Sequence, residues 1–205
     1  MSGNRTTEDV IALLSTPEDA AILHRLHRRL EQEAEQADLV DVAYTVVDSP
    51  VGRLLLAATK KGLVRVAYAS EDHDRVLDTL GHKLGPRFLR APRRLDDAAR
   101  ELDEYFARRR RQFDLPLDLS LSRGFRQIVQ QHLPEIGYGQ TRSYRQVAEL
   151  VGNPKAVRAV GTACATNPLP VVIPCHRVLR TDGTLGGYIG GLDAKTALLD
   201  LEAAA

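Results

Sequence analysis

Apolar and polar positions along this chain fall into three regimes. Over the first 40 or so residues the apolar spacing is helical. Thr7 can cap a short turn bearing Val10, Ile11 and Leu14. Thr16-Pro17-Glu18-Asp19 is a second helix start, with a hydroxyl cap, proline at the first helical position and acids in the first turn. Leu23, Leu26 and Leu30 follow at helical spacing, and the stretch from Gln32 to Asp38 is polar. Residues 1–41 therefore read as a helical extension that packs on the body of the protein or on a partner and carries no chemistry of its own.

From Val42 the period drops to two. VAYTVV, the turn Ser49-Pro50-Val51-Gly52, RLLLAAT, the turn Lys61-Gly62, and LVRVAYA predict a three-stranded antiparallel sheet. Helices are expected over residues 71–84 and over Leu95 to Arg110, the latter ending in the run Arg108 to Arg111, where cations suit the negative end of a helix. Pro116 and the stretch Asp118 to Ser122 read as a linker, so a domain boundary is placed near residue 118. Beyond it the helical period returns. Phe125 to Leu133 is one helix, and Gly137-Tyr138-Gly139 is a loop. Ser143 caps a helix from Tyr144 to Val151 that turns Val147, Leu150 and Val151 inward. Gly152 stops it, and Asn153 caps another with Pro154 at its first position, running to about Ala165. Two short helices joined by a tight turn suggest a helix-turn-helix. The second is unusual for its small residues, Ala156, Ala159, Gly161, Thr162 and Ala163. Such a surface packs closely on protein or enters a narrow groove, and Arg158 projects from it as a lone long cation.

Charge alters this picture more than composition does. Among 205 residues, 28 basic and 27 acidic side chains leave a net charge of +1, a balance that by itself argues against a nucleic-acid partner. The balance is uneven: residues 1–41 hold 4 basic and 9 acidic groups, residues 42–119 hold 15 and 12, and residues 120–205 hold 9 and 6. Arg142, Arg145, Lys155 and Arg158 face only Glu149 within residues 140–161, and local patches of this kind, not net charge, set attraction to phosphates. Two cysteines are too few for a disulfide scaffold, no stretch approaches the ~18 apolar residues of a membrane span, and the start of the chain lacks the features of a signal peptide. The expectation is a reduced, cytoplasmic protein.

The strongest local feature is the run from Pro168 to Val178, in which prolines bracket a β-branched stretch that delivers Cys175 and His176. A free thiol is weakly reactive at neutral pH, and a nearby base or cation such as His176 or Arg177 raises its thiolate fraction. Neighbours on a strand face opposite ways, so a Cys175–His176 contact needs a turn or a bridging water. The competing readings are a buried filler cysteine, a three-ligand metal site with Cys164 and His176, and a protease nucleophile. Zinc is disfavoured by the lack of paired spacing, and the local sequence matches no protease signature. The loop from Thr181 to Gly191 is glycine-rich but lacks the ending of a phosphate-binding loop. The last helix, Asp193 to Glu202, turns Leu198, Leu199 and Leu201 inward and ends in a carboxylate able to orient a histidine.

Taken together, Ile173-Pro174-Cys175-His176-Arg177-Val178, the segment from Asn153 to Gly161, Asn167-Pro168, and Tyr188 with Gly190-Gly191 resemble the O6-alkylguanine-DNA alkyltransferases in order and spacing. Residues 120–205 are similar closely, and the strands after Ser49 more loosely. The resemblance implies an α+β protein. A ribonuclease H-like N-terminal domain with a three-stranded antiparallel sheet and helices (42–118) precedes a helical, winged helix-turn-helix-like domain (119–205) that carries the active site. It implies direct-reversal DNA repair, in which an alkyl group passes irreversibly from O6-alkylguanine in double-stranded DNA, or from O4-alkylthymine, to Cys175, consuming the protein in a single turnover. Glu202, His176 and a bridging water are implied to take the thiol proton, and Asn167 to organise the turn before the cysteine. Tyr144 is implied to crowd the phosphate and donate to guanine N3. Main-chain groups of Cys175 and Val178, with the loop of Tyr188 and Ile189, hold the base. Arg158 fills the gap left by the flipped base, with Lys155, Ala156, Val157 and Gly161 in the minor groove. Ile189 stands where some members carry a hydroxyl residue. No Cys precedes residue 164, so no N-terminal zinc is expected, nor any cofactor or membrane partner; the expected state is a monomer. A Cys-bearing second acceptor domain is not seen, so a transcriptional role is not expected. The alternative is a non-catalytic reader of alkylated DNA, which Cys175 weighs against.

Overall fold

The computed structural model describes residues 17–203. The turn expected around Val10 to Leu14 and the Thr16 cap lie outside them. Helix α1 covers Pro17–Gln36, with Pro17 at its first turn as expected. Leu23, Leu26 and Leu30 fall along this helix at the predicted spacing. Residues 41–205 form one compact unit, separate from the unit holding α1.

In that unit β1 (Val42–Val47), β2 (Leu54–Thr59) and β3 (Gly62–Tyr68) form the expected antiparallel meander. The first turn closes by a bond from the Gly52 N–H to the Ser49 carbonyl at 3.0 Å, with Gly52 at φ 95°, a region that glycine enters without steric cost. A fourth strand, β4 (Phe88–Arg90), pairs parallel to β1 and gives the order β3-β2-β1-β4. Its three residues, two part-buried and one exposed, leave no alternation to read, which is why the sequence shows only three strands. β2 is buried on both faces, as its unbroken run Leu54-Leu55-Leu56-Ala57-Ala58 demands. On one face Leu55, Ala57 and Val64 pack with Val76 and Leu80 of α2 (His73–Leu84). On the other, Leu54, Leu56 and Val66 share a core with Leu95, with Leu102 and Tyr105 of α3 (Asp96–Phe106), and with Val129, Ile136 and Ile173. Each fully buried leucine contributes about 1.5–3 kcal/mol to holding these layers together.

Two expectations change here. α3 ends at Phe106, not Arg110; Arg108 has φ 59°, and the chain folds back so that Arg109 and Arg110 pair with Asp103 and Glu104. The stretch read as a linker is strapped to β3: Leu63 donates to the Pro116 carbonyl at 2.8 Å, and Asp118 returns a bond to the Leu63 carbonyl at 2.9 Å. The helices α4 (Phe125–His132), α5 (Tyr144–Leu150), α6 (Val157–Ala165) and α7 (Gly191–Ala203) complete the unit, with the two-residue strands β5 (Arg142–Ser143) and β6 (Val178–Leu179) paired in parallel.

α5 starts as predicted, with Ser143 and Gln146 in a reciprocal capping box. Leu150 is 44% exposed, however, and only Val147 and Ala148 are fully buried. α6 begins three residues later than Asn153-Pro154 suggests. Gly152, at φ 72°, ends α5, and Asn153 to Ala156 are spent on a turn closed by Ala156 N–H to the Asn153 carbonyl at 2.9 Å. Lys155 and Ala156 therefore sit at the entry to the helix, and no side chain caps it.

Candidate active site

The run before the cysteine does not form the strand its β-branched residues suggest. Pro168, Pro170 and Pro174 lack N–H donors, so no ladder can propagate. Instead the chain turns: the Ile173 N–H reaches the Leu169 carbonyl at 2.8 Å, and buried Val171 is held at φ 72°, where a β-branched residue is strained. Pro174, at φ −80° and ψ 61°, centres an inverse γ-turn closed by the Cys175 N–H to Ile173 carbonyl bond at 2.8 Å. Cys175–Arg177 is a 3₁₀ turn, and only then does β6 begin.

This turn aims three successive side chains in different directions. Cys175, 2% exposed, receives a bond from Asn167 Nδ2 to Sγ at 3.2 Å. The same Nδ2 donates to the Ile173 carbonyl at 2.8 Å, while Oδ1 accepts from the Leu169 N–H at 3.0 Å, so Asn167 ties both ends of the turn and the thiol. His176 points instead to α7, with Nε2 2.9 Å from Glu202 Oε1. Arg177 donates from Nε to Glu202 Oε2 at 2.9 Å, from Nη2 to Oε1 at 2.8 Å, and from Nη1 to the Ile136 carbonyl. Arg177 thus grips the carboxylate and does not serve the thiol. Tyr105 donates to Oε1 at 2.6 Å, and Gly139 N–H to Oε2 at 3.1 Å.

The charge states follow from this geometry. Burial works to raise the pKa of Glu202, but the bonds from His176 and Arg177 outweigh it and hold the carboxyl well below its ordinary range. A carboxylate accepts only, so His176 Nε2 carries the proton and Nδ1 is the free base. Nδ1 is buried and has no hydrogen-bond partner among the described residues. Burial lowers the pKa of His176 more than Glu202 raises it, so the ring is neutral at neutral pH. Burial pushes the Cys175 thiol up to about 11, with Asn167 and Lys195 opposing the rise. The resting sulfur is a thiol, and a base must take its proton before it can act as a nucleophile.

The walls around the thiol come from three more places. Tyr144, the first residue of α5, sets its hydroxyl against Gly186, where an added Cβ would lie 2.3 Å from that oxygen. Tyr188 in the glycine-rich loop shares a hydroxyl–hydroxyl bond of 2.9 Å with Tyr68 at the end of β3, and its ring meets that of His176 edge-on at 6.4 Å. A Cβ on Gly190 would fall 2.5 Å from the Tyr68 ring, so this close approach requires glycine. Val178 is fully buried on β6, and its carbonyl accepts from Lys195 Nζ at 2.7 Å. Ile189 lies beside Ala165 and Thr166. Arg158, Ala159 and Thr162 stand on the exposed face of α6, and Gly161 would meet nothing within 4 Å if it carried a Cβ.

Cys175, His176, Asn167 and Glu202 therefore converge, with Tyr144, Val178 and Tyr188 around them, while Lys155 and Arg158 are exposed away from them, Ala156 and Gly161 are part-exposed, and Val157 packs partly against the core. Lys195, Tyr68 and Tyr105 escaped the sequence reading. Lys195 had a signal, because it shares a helical face with Leu198 and Glu202; the two tyrosines had none. Among the described residues no group of three or more His, Cys, Asp or Glu side chains is placed to hold a metal ion, and no helix is long and apolar enough to cross a membrane.

Residues 42–119 match the ribonuclease-like domain of 6-O-methylguanine DNA methyltransferase, and residues 124–204 match the DNA-binding domain of the same family. The chain belongs to the 6-O-methylguanine DNA methyltransferase family. It is 40% identical over 161 residues to a methylated-DNA–protein-cysteine methyltransferase of Methanosarcina barkeri, covering 78% of this chain and 96% of that protein. It is 35% identical over 193 residues to the bifunctional transcriptional activator/DNA repair enzyme Ada of Escherichia coli, covering 91% of this chain and 54% of Ada. Among solved structures, Mycobacterium tuberculosis O6-methylguanine methyltransferase superposes with a TM-score of 0.69 at 38% identity, covering 80% of this chain and 93% of that one. The DNA complex of the M. tuberculosis protein superposes with a TM-score of 0.66. The α+β class and the helical DNA-binding second half expected of this family are both present.

Proposed function

We propose that this protein repairs DNA by moving an alkyl group from guanine O6 to Cys175. The observation that carries the reading is the buried relay: a neutral His176 fixed by anionic Glu202 in the tautomer that leaves Nδ1 basic, one turn position from a thiol held by Asn167. A water between Nδ1 and Sγ passes the thiol proton to His176. The thiolate then attacks the alkyl carbon in line; the S–C bond forms as the C–O6 bond breaks, and the electron pair leaves on guanine. Tyr144 donates to guanine N3 and offsets that charge. The product is a thioether, so one protein molecule serves one lesion.

Double-stranded DNA bearing O6-alkylguanine is the substrate, and the protein acts as a monomer. O6 lies in the base stack, so the nucleotide must leave the duplex to reach a sulfur that is 2% exposed. α6 offers the means. Arg158 is exposed beside Ala159, and Gly161 faces open space, so nothing inside the protein demands its smallness. Lys155, Ala156, Val157 and Gly161 lie in the minor groove with Arg158 in the vacated stack. Val178, Tyr188 and Ile189 hold the extruded base.

The test is label transfer. Incubation with duplex DNA carrying radiolabelled methyl on guanine O6 should place up to one equivalent of label on Cys175, and Cys175→Ser should accept none. A folded, reduced protein that binds this DNA tightly yet takes no label would instead be a reader of alkylated DNA. Arg158→Ala should slow repair of duplex DNA far more than reaction with a free alkylated base.

A further inference from the structure

A groove of about 390 Å³ opens where α6 ends, bordered there by Ala165 and Thr166 and by Ile189 of the base-holding loop. Its far wall is α2, from the sheet half of the molecule. Arg75, Thr79 and Lys83, spaced four residues apart, line the groove, and Arg126 of α4 lines it as well. The residues one place earlier on α2, Asp74, Asp78 and His82, line a different hollow with Tyr44 and Phe88. The helix therefore sorts its charge, with cations toward the end of α6 and acids turned away.

Three of the groove's four cations have no acidic partner among the described residues. Its single acid, Glu71, is occupied by Arg65 and by the Tyr68 N–H. Among the described residues Arg75, Lys83 and Arg126 form no ion pair, whereas Arg87, Arg100, Arg109 and Arg110 each do. Eight residues of helix place Arg75 and Lys83 about 12 Å apart. Two cations that far apart on one helix face can each meet a phosphate of the same DNA strand.

We propose that this groove is a second phosphate-binding site, in which Arg75, Lys83 and Arg126 hold the DNA backbone beyond the reach of α6. The proposal rests on the reading of α6 as the DNA-binding helix. It assigns a DNA contact to the sheet half of the molecule, whose α2 supplies two of the three cations. The groove begins where α6 ends, and each phosphate neutralised there releases condensed counterions.

The experiment measures the affinity of the full chain for an unmodified duplex of about 20 base pairs across a salt series. It compares the protein with Arg75→Gln/Lys83→Gln/Arg126→Gln and with a control of equal charge change elsewhere, Arg93→Gln/Arg94→Gln/Arg108→Gln. Each lost phosphate contact lowers the slope of log K against log salt by about 0.9, so the groove variant should lose about 2 to 3 in slope and the control less than 1. An unchanged slope in the groove variant would overturn the proposal, as would an equal fall in the control, which would mean that net charge alone is responsible. Reaction with a free O6-alkylated guanine base, read in parallel, should be the same in all three proteins. If that reaction is absent from all three while the slopes differ as expected, the alkyl-transfer reading fails and the groove stands.

Discussion

At the scale of single residues, the site depends on one proton being in one place. Glu202 forces the Nε2–H form of His176, and burial keeps the ring neutral to a lower pH than an ordinary histidine. The alkyl-transfer rate should accordingly be level through neutrality and fall only below pH ~6.5, as the ring becomes protonated. A stopped-time label-transfer profile checks this, and a rate that climbs steadily from pH 6 to 9 would mean the thiol ionises without His176. The Tyr68–Tyr188 pair gives a second expectation. Tyr68→Phe leaves the Tyr188 hydroxyl without its 2.9 Å partner, and a lost bond of about 0.5–1.5 kcal/mol should slow transfer from DNA by about 2- to 10-fold. If Tyr68 acts through Tyr188, adding Tyr68→Phe to Tyr188→Phe should slow it no further. Neither tyrosine announces the other in the sequence: 120 positions separate them, and only the meeting of β3 with the glycine-rich loop makes them neighbours.

At the scale of elements, the turn from Pro168 to Arg177 decides what the cysteine can do. Its β-branched run was readable as a strand, and its three prolines were the sign that it is not. The turn holds Val171 at φ 72° at a cost of about 1–3 kcal/mol, comparable to what its buried side chain contributes. Val171→Gly relieves the strain as it removes the packing, so its Tm should fall less than that of Val172→Gly, which loses packing and gains nothing. Thermal melts of the two variants compare them directly; equal losses would mean that the strain is negligible. The same scale explains the late start of α6. Asn153 and Pro154 are a good helix opening by local rules, but the left-handed Gly152 sends the chain through a turn first, which moves the start to Val157 and leaves Lys155 at the helix entry.

At the scale of the whole molecule, buried ionisation ties stability to the site. The pKa of Glu202 is depressed from 4.5, so its stabilising contribution is present above pH ~4.5 and is lost as pH falls through the lower folded value. The Cys175 thiol is raised from 9.0 to about 11, so stability is full below pH 9 and declines as pH rises toward 11. Thermal stability should form a plateau between these limits. Glu202→Gln should cost about 3–5 kcal/mol at neutral pH by leaving Arg177 buried without its partner, and the gap from the parent protein should close in acid, where Glu202 itself is protonated. Melting curves against pH settle it; a gap that persists at low pH would assign the loss to packing alone. What the sequence determined by itself was whatever is local: the three strands of the meander, the Ser143 cap, the Cys-His dipeptide, and the charge imbalance hidden in a net of +1. Those features arise from period, turn chemistry and neighbouring residues. Only the tertiary structure decided which way His176 faces, that Arg177 serves Glu202 and not the thiol, that Lys195 is fully buried against the Val178 carbonyl, and that the cations of α2 meet the end of α6. Each of these joins segments far apart in sequence, and their placement depends on how the sheet and helices share one core, a property that no local pattern encodes.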